Sequence, residues 1–375
     1  MGLPPVAHGF GARGPEPGQE PGSGQPLAAR DREPGQPPGA RPPLISVIIP
    51  VFEVAEYLPE CLDSVLGQPG PEIEVIAVDD ASPDRSAAIL DARAAADPRL
   101  RVVHLPVNGG QGPARNAGLD LASGEYVWFV DGDDRLADGA LAAIGARLAH
   151  SRPDVLLIDW VSSYAGGRTA PSPGTGLLAQ VPADGCTLED RPRLIDLTMT
   201  SWSKLLRREF LAGLGVRFAA GIHEDVLVTC AALLAAKSVE AVDQVCYRYR
   251  SDRGGSAMVT TSVGHLAIFA SYDRVFARLG QAPASDAVRA AVFDRAIWHY
   301  TTVLEARGAD GRGLVPRRER RPYFARMHAA FAARRPPGYR FPAGARGMKF
   351  RLVAAGRYPA YALLSRLNRL RVAHR

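Results

Sequence analysis

Apolar runs alternate with helix-like segments along residues 44–160. The runs are LISVIIPVF at 44–52, EIEVIAVDD at 72–80, RVVHL at 101–105, EYVWFV at 125–130 and DVLLIDW at 154–160. Continuous apolar runs of this length are typical of strands that are buried on both faces. Between the runs, apolar residues recur every three or four positions over 54–67, 83–90, 111–122 and 136–150, which predicts helices. The alternation predicts an α/β fold with a mostly parallel sheet that is covered by helices on both sides.

The pattern changes after residue 160. A Pro/Gly/Ser-rich segment at 165–176 is expected to be a loop, and a helix is expected at about 191–199. The stretch GIHEDVLVTCAALLAAK at 221–237 predicts an apolar helix, and VEAVDQVCYRYR at 239–250 predicts a further strand. From residue 262 onward the spacing is helical, and residues 349–371 are predicted to form one amphipathic helix.

These patterns divide the chain into three parts. Residues 1–43 are dominated by Gly, Pro and Gln, and such a segment buries too little apolar surface to fold, so we expect a disordered leader. Residues 44–260 form the α/β part, with halves at 44–160 and 161–260, and residues 261–375 form a helical C-terminal region. The leader lacks the pattern of a secretory signal, and no window reaches the ~18 apolar residues of a spanning helix. The four cysteines form no CxxC pair, which favours reduced thiols in the cytoplasm.

Charge is distributed unevenly along the chain. Residues 320–375 contain 14 Lys and Arg and no Asp or Glu, so residues 1–319 carry a net charge of −8 within a total of +6. A solvated basic tail is one reading. Attraction to anionic lipid, worth about 1 kcal/mol per basic residue near the surface, is the functional alternative. Nucleic acid is the least favoured partner because the tail has no aromatic stacking platform.

Acidic residues follow three of the predicted strands, at the edge where α/β sheets bind ligands. They are Glu53 after the first strand, Asp79 and Asp80 after the second, and Asp131, Asp133 and Asp134 after the fourth. A single acidic strand end is usually a helix cap. Several on one edge concentrate negative charge where a ligand is expected, and this favours a bound cation.

The Asp131–Gly132–Asp133 sequence is the strongest candidate for that cation site. Two close carboxylates repel each other unless a cation lies between them. Mg²⁺ typically binds through one or two carboxylates plus substrate phosphates, and Gly132 leaves room for close approach. The twelve-residue pattern of a calcium loop is absent. The sequence therefore predicts a metal–diphosphate site with Mg²⁺ or Mn²⁺.

Four segments in order resemble the family-2 nucleotide-sugar glycosyltransferases. They are SVIIPVFEVAEYLPECLDSVLGQ, EVIAVDDASPD, NGGQGPARNAGLDLASGEYVWFVDGDD and EDVLVTCAAL. The resemblance covers roughly residues 44–256 and implies the GT-A fold, with a nucleotide-sugar half at 44–160 and an acceptor half at 161–260. WSKLLRREF and CYRYRSDRGGS resemble bacterial surface-polysaccharide and teichoic-acid-type members. The helical C-terminal region is similar to the amino-terminal transferase module of actinobacterial bifunctional glycerophosphotransferases.

The resemblance implies a donor site along the strand ends. Phe52 and Asp80 correspond to positions that hold the nucleotide base, by stacking and by accepting from the ring N–H. Pro50 and Glu53 flank this contact, and Glu53 stands where the family more often has Asn. Asp79 is expected to cap the following turn.

The remaining donor contacts implied by the resemblance surround the diphosphate. Asn108, Arg115 and Asn116 fall in a stretch near the sugar and diphosphate, where an Arg complements phosphate oxygens. Asp131, Gly132 and Asp133 correspond to the metal motif, with Asp133 as the direct ligand and Asp134 in support. A further motif implied to close over the diphosphate comprises Arg248, Arg250 and Ser256.

The resemblance also implies the catalytic and acceptor residues of an inverting transferase. Asp225 corresponds to the base, and Glu224 orients it or the acceptor. Trp202 and Lys204 are expected near the acceptor, a glycan or lipid-linked molecule of the cell envelope. The donor is a nucleoside-diphosphate sugar, with uridine implied by the base contacts.

Other readings of these residues and of the whole chain stay open at this stage. Asp225 can be a charge at a helix start, and His223 can be a metal ligand. Trp202 can be a core residue, and Arg248 and Arg250 can be solvated charges of the last strand. A nucleotidyltransferase would need a Gly-rich triphosphate signature after the first strand, and a dinucleotide oxidoreductase would need GxGxxG there. Neither is present. A catalytically silent, transferase-like scaffold is the non-enzyme alternative. The expected location is cytoplasmic, with peripheral attachment to the inner face of the membrane.

Overall fold

The computed structural model describes residues 42–197, 200–251, 260–308 and 311–373, and side chains as far as residue 368. The predicted disordered leader, apart from Pro42 and Pro43, lies outside the described residues. Residues 42–375 form one compact unit.

Nine strands form one sheet in the part of the chain that the structure describes. The strands are β1 (Ile45–Val51), β2 (Ile73–Asp79), β3 (Leu100–His104), β4 (Tyr126–Phe129), β5 (Arg135–Leu136), β6 (Val155–Ser163), β7 (Thr169–Pro171), β8 (Lys204–Arg207) and β9 (Val239–Arg250). Their order in the sheet is β3-β2-β1-β4-β8-β6-β9-β5, with β7 on β6. The half formed by β3, β2, β1 and β4 is parallel, as predicted.

The second half of the sheet is mixed. β8 is antiparallel to both β4 and β6, β5 is antiparallel to β9, and β6 and β9 are parallel. β8 lies within the stretch WSKLLRREF, where no strand was predicted. Its four residues are too few to show a period, and only their pairing with β4 and β6 makes them a strand.

Twelve α-helices accompany the strands in the described ranges. They are α1 (Leu58–Leu66), α2 (Ser86–Ala96), α3 (Gln111–Leu121), α4 (Ala140–His150), α5 (Thr175–Leu178), α6 (Arg208–Gly213), α7 (Val226–Ala235), α8 (Ala267–Gln281), α9 (Asp286–Glu305), α10 (Arg320–Arg334), α11 (Gly344–Ala354) and α12 (Tyr358–Ala373). Short 3₁₀ turns lie at Ala165–Gly167, Pro192–Asp196, Val263–Leu266 and Arg317–Glu319.

Three helix predictions need correction. The helix expected at about 191–199 is a 3₁₀ turn at Pro192–Asp196, and residues 198–199 lie outside the description. Residues 136–150 begin with the end of β5 before α4 starts. The single amphipathic helix expected at 349–371 is two helices, α11 and α12.

The break between α11 and α12 has a local cause. Gly356 adopts a left-handed conformation with φ 64. Its N–H donates to Val353, and the N–H of Arg357 donates to Leu352 at 2.9 Å. This pair of bonds is a Schellman ending, which glycine favours because it has no Cβ. The apolar spacing continues across the break, so the sequence pattern alone reads as one helix.

The core lies on both sides of the sheet. All seven residues of β1 are buried. Val47 and Ile49 face α1 and α4, whereas Ile48 faces the opposite apolar cluster, which reaches α12. Successive side chains of a strand point to opposite faces, so a strand covered on both sides must be apolar throughout. The C-terminal helices share the core of the α/β part.

Candidate functional site

The candidate site lies where β1, β2 and β4 end and α3 and α7 begin. The carboxyl ends of these parallel strands bring Phe52, Asp80 and Asp131 to one edge of the sheet. α3 starts after the Gly109–Gly110 turn, and α7 starts directly after Asp225. The sequence-predicted donor and catalytic residues therefore come from five separate segments.

Arg115 of α3 connects the two acidic groups of the site. Its Nη1 donates to Glu224 Oε1 at 2.5 Å, and its Nη2 donates to Asp131 Oδ1 at 2.8 Å. The side chain is only 2% exposed. Burial opposes its charge, but the attraction of Asp131, Glu224 and Asp225 outweighs burial and raises the pKa of Arg115. Arg115 thus joins the predicted metal motif to Glu224, the neighbour of the predicted general base Asp225.

Gly112 allows this bridge to form. A Cβ at this position would lie 1.8 Å from the backbone oxygen of Ala219. α3 therefore approaches the segment before α7 more closely than any side chain would permit. Asn116, one turn further, fixes the same contact: its amide donates to Phe218 O at 2.9 Å, and its Oδ1 accepts from Phe218 N at 3.0 Å. Asn116 acts here as a clamp between segments.

The turn after β4 carries three carboxylates in different surroundings. Burial raises the pKa of Asp131, and Arg115 opposes that rise while Asp133 adds to it. Burial and the neighbouring Asp133 and Asp131 raise the pKa of Asp134 well above its usual value. Tyr247 OH donates to Asp134 Oδ2 at 2.8 Å, and the backbone N–H of Arg250 donates to its Oδ1 at 2.7 Å. Asp134 therefore ties β9 to this turn.

Asp131 and Asp133 fit a hard divalent cation. Both are half-buried, and the repulsion among these carboxylates is the condition that a bound cation relieves. Gly132 lies between them, and a Cβ there would come within 3.2 Å of Pro50 O. No three His, Cys, Asp or Glu side chains converge on one metal position in the described ranges. Two carboxylates suffice for Mg²⁺ when substrate phosphates supply further ligands.

The residues predicted to contact the nucleotide base are the exposed ring of Phe52 and the hydrogen-bonded carboxylate of Asp80. Phe52 is 37% exposed at the end of β1, as a stacking platform requires. Glu53 has φ 52, a left-handed conformation that Asn adopts more readily than most residues. The oxygens of Asp80 accept from Gly109 N at 2.8 Å and Gly110 N at 2.7 Å, so Asp80 holds the loop before α3. Its contact with a nucleotide base stays a prediction.

The other predicted donor residues lie around this edge. Asp79 caps its turn as expected, since its Oδ1 accepts from Ser82 N at 3.0 Å. Asn108 is exposed in the loop before α3. Arg250 Nε donates to Asp133 O at 2.9 Å, which places its guanidinium at the predicted metal motif. Arg248 lies opposite Arg135 of β5, and Ser256 lies outside the described residues.

Asp225 has the properties of a general base. It occupies the position before α7, but its side chain does not cap the helix. Burial and the adjacent Glu224 raise the pKa of Asp225 to about 7, although Arg115 and Lys204 oppose the rise. A group with a pKa near 7 is about half ionised at pH 7, and its ionised form is basic enough to accept a proton. The helix-start alternative predicts no such shift.

The two predicted acceptor residues have different environments. Lys204 is 1% exposed, and its Nζ donates to Thr200 O at 2.5 Å and Ser203 Oγ at 2.9 Å. Burial lowers the pKa of Lys204 to about 8, while Asp225 opposes this. Trp202 is 4% exposed and stacks on Tyr247 with ring centroids 4.5 Å apart. The structure thus places Trp202 in the core, and its contact with an acceptor stays a prediction.

Some contacts at the site were not predicted from the sequence. Tyr247 joins Asp134 to the backbone N–H of Asp131, but in the sequence it is one aromatic of a strand. His223, His265 and His299 meet beside the Glu224–Asp225 turn, although they lie far apart in the chain. The metal-ligand alternative for His223 is not supported among the described residues, where its ring bonds to His265.

The family model for glycosyl transferase family 2 matches residues 46–212. This segment is a family-2 glycosyltransferase domain. The uncharacterized glycosyltransferase EpsJ of Bacillus subtilis is 30% identical over 220 residues, which cover 56% of this chain and 61% of that protein. The poly(ribitol-phosphate) β-N-acetylglucosaminyltransferase TarS of Staphylococcus aureus is 31% identical over 223 residues, or 58% of this chain and 37% of TarS. The chain therefore spans less than two thirds of these relatives.

The solved structures agree with the α/β fold. The crystal structure of S. aureus TarS 1–349 in complex with UDP-GlcNAc superimposes with a TM-score of 0.68 at 23% identity. The match covers 87% of this chain and 91% of that chain. It therefore extends beyond the family-2 domain into the C-terminal helices, and it confirms the GT-A fold with its helical extension.

Proposed function

We propose that the protein is an inverting glycosyltransferase that moves a sugar from a nucleoside-diphosphate sugar to a hydroxyl of a cell-envelope glycan or lipid-linked acceptor. One observation carries the proposal: Arg115 holds Glu224, next to Asp225, across from Asp131 of the metal motif. This arrangement supports Asp225, with a pKa of about 7, as a base beside the predicted diphosphate site. The crystal structures of S. aureus TarS 1–349 in complex with UDP-GlcNAc and with UDP support a uridine donor.

The proposed reaction is a single displacement. The carboxylate of Asp225 takes the proton of the acceptor hydroxyl as that oxygen forms a bond to C1 of the sugar. The bond from C1 to the diphosphate breaks on the opposite face, so the anomeric configuration inverts. Mg²⁺ or Mn²⁺ bound by Asp133 and Asp131 would neutralise charge on the departing diphosphate. Arg250, whose guanidinium lies against the metal motif, adds positive charge at the same place.

The test is release of nucleoside diphosphate from UDP-, GDP- and dTDP-sugars, with Mn²⁺ or with a chelator. We expect metal-dependent release from one donor. Asp133→Ala should abolish the metal-dependent release of diphosphate. Asp225→Asn should reduce turnover by about 10²–10⁴. Asp120→Asn is the matched control, because Asp120 is exposed and pairs with Arg217 on the surface. Full turnover in Asp225→Asn would contradict the mechanism.

A scaffold without turnover is the remaining non-enzyme alternative. It predicts that a donor binds in calorimetry with unchanged affinity in Asp225→Asn, and that no diphosphate is released with any acceptor fraction. Binding of a nucleoside triphosphate followed by pyrophosphate release would instead indicate a nucleotidyltransferase. Each outcome is measured on the same protein preparation.

The C-terminal helices support a second part of the proposal, attachment to an anionic membrane surface. The inner face of α12 is fixed to α9, where Tyr361 OH and Ser365 Oγ donate to Glu305 Oε1 at 2.8 and 2.6 Å. The opposite face exposes Leu363 by 59% and Leu367 by 49%. No helix within the described ranges is long and apolar enough to span a bilayer.

Exposed basic residues lie on the same pair of helices. Arg351 is on α11, Arg357 is in the turn that follows, and Arg366 is on α12. An exposed apolar face together with exposed Arg is typical of a helix that lies in the plane of an anionic interface. The proposed orientation places α12 on the lipid, on the cytoplasmic side where anionic lipids are concentrated.

The membrane proposal is tested by sedimentation with vesicles of phosphatidylcholine containing phosphatidylserine. Leu363→Ser with Leu367→Ser should reduce the vesicle partition coefficient by at least about tenfold, since full burial of a Leu contributes about 1.5–3 kcal/mol and roughly half of each side chain is exposed. Val263→Ser is the control, because Val263 is 53% exposed outside these helices. Deletion of the tail is less informative, because it removes Arg346 and Lys349, which bond to Asp294 and Glu305. Equal binding of all variants would refute the assigned face.

A further inference from the structure

The residue before the catalytic pair has an unusual backbone conformation. His223 has φ 65, a left-handed value that a residue with a Cβ seldom adopts. Its side chain is 3% exposed. Strained backbone persists only where surrounding contacts enforce it, and such positions cluster at functional sites. The contacts that hold His223 are therefore informative about the base that follows it.

Those contacts come from the helical C-terminal region. Ser271 Oγ of α8 donates to His223 O at 3.1 Å. The ring of His299, from α9, meets the ring of His223 edge-on with centroids 5.3 Å apart. His265, in the 3₁₀ turn before α8, places its Nδ1 3.3 Å from His223 Nε2. Two helices and one turn thus fix a single residue beside Asp225.

The hydrogen-bond chain assigns the proton positions. His265 Nε2 lies 3.0 Å from Thr260 O, and a carbonyl only accepts, so Nε2 of His265 carries the hydrogen. Burial lowers the pKa of His265, so its ring is neutral at pH 7 and its Nδ1 accepts. His223 Nε2 then donates to it. Burial lowers the pKa of His223 to about 3, so this ring is neutral as well.

We propose that His223 and His265 are positioning residues that hold the Glu224–Asp225 turn in its catalytic geometry through the C-terminal helices. This inference rests on the proposed function, because it assigns Asp225 as the base. Neither histidine touches a substrate in the proposal. The chain from Thr260 through His265 to His223 sets the backbone from which Asp225 projects. The helices α8 and α9 are thereby part of the catalytic apparatus.

The test compares His265→Leu with His265→Asn in the full-length protein. His265→Leu loses both hydrogen bonds, and we expect kcat to fall by about 10–100-fold with the donor KM within twofold, because a small displacement of a catalytic group has a large effect. Asn retains an acceptor near the Nδ1 position and should recover kcat to within about fivefold of the parent. Ser271→Ala removes only the bond to His223 O and should show the same pattern, smaller in size.

His328→Leu is the matched control. His328 also bonds to a backbone carbonyl, with Nδ1 2.9 Å from Val353 O, but it lies between α10 and α11, away from the turn. Its substitution should affect thermal stability without lowering kcat per folded molecule. Equal loss of kcat in His328→Leu and His265→Leu would refute the proposal. A rise in the donor KM of His265→Leu with unchanged kcat would also refute it. If His265→Leu does not fold, His265→Asn and Ser271→Ala decide the question.

A measurement without turnover separates this inference from the proposed function. ¹⁵N spectra of the histidine rings should show His265 as the neutral Nε2–H tautomer between pH 6 and 8. The parent should also show a downfield-shifted signal from the hydrogen-bonded Nε2–H of His223, and this signal should be lost in His265→Leu. A titrating His265, or the other tautomer, would refute the link even in an active enzyme. Absence of transferase activity in the parent, with these signals intact, would refute the proposed function alone.

Discussion

Replacement of Arg115 by Met tests whether the site depends on one buried cation. Arg115 is 2% exposed and lies within 2.5 Å of Glu224 and 2.8 Å of Asp131. At an effective dielectric constant near 20, two charges about 4 Å apart attract by about 4 kcal/mol. Two such pairs give about 8 kcal/mol, and desolvation offsets several kcal/mol of this sum. Removing the guanidinium leaves two buried carboxylates without their cation.

The expected result is a loss of about 3–5 kcal/mol in the free energy of unfolding at pH 7.5. Urea unfolding followed by tryptophan fluorescence, with chelator present, measures it. Arg217→Met provides the matched control, because Arg217 pairs with Asp120 on the surface with side chains 46% and 53% exposed. An exposed pair of this kind contributes about 0.2–1 kcal/mol.

The loss in the free energy of unfolding caused by Arg115→Met should become smaller as the pH falls. Burial raises the pKa of Asp131 in the folded protein and Arg115 opposes that rise, so without Arg115 this pKa rises further above its unfolded value. The folded state then favours the protonated carboxyl of Asp131, so stability is retained at low pH and lost as the pH rises through this raised pKa. We expect a smaller difference from the parent at pH 5.5 than at pH 7.5. A cost equal to that of Arg217→Met, or a deficit independent of pH, would refute the reasoning.

Three further predictions concern the same region. Turnover should rise with pH through about 7, because Asp225 must be ionised to accept a proton and its pKa is raised to about 7; a flat profile from pH 5.5 to 8.5 would argue against this base. Gly112→Ala should lower the melting temperature markedly, since its Cβ would lie 1.8 Å from a backbone oxygen, whereas Gly176→Ala, with no atom within 4 Å, should not. Tyr247→Phe removes the hydroxyl that donates to Asp134 and should cost about 1–3 kcal/mol in urea unfolding, and an unchanged midpoint would contradict that role.

The parallel half of the fold was predictable because each strand is buried on both faces and therefore apolar throughout. β1 and β2 show this most clearly. β8 was missed, because its four residues become a strand only through pairing with β4 and β6. The position of the break between α11 and α12 depends on the φ value of Gly356, which apolar spacing does not report.

For the candidate site, the sequence identified residue types at strand ends but not their partners. Asp131 and Glu224 were both predicted, yet the Arg115 bridge between them requires α3 to lie against the segment before α7. Asp80 was predicted at the nucleotide base, but its hydrogen bonds to the Gly109–Gly110 backbone were not predicted. Partners separated by about a hundred residues in the chain are set by packing, which a single sequence does not specify.

The position of β9 in the sheet has a consequence for how this protein can be shortened. The family-2 match ends at residue 212, before α7 and β9. β9 pairs with β6 along Val155–Ser163 and with β5 on its other side. A fragment cut at residue 212 would lose Asp225 and expose the backbone edge of β6, a template for aggregation. The segment 46–212 therefore lacks a strand of its own sheet, and expressed fragments should retain the chain at least through the helices that close the core.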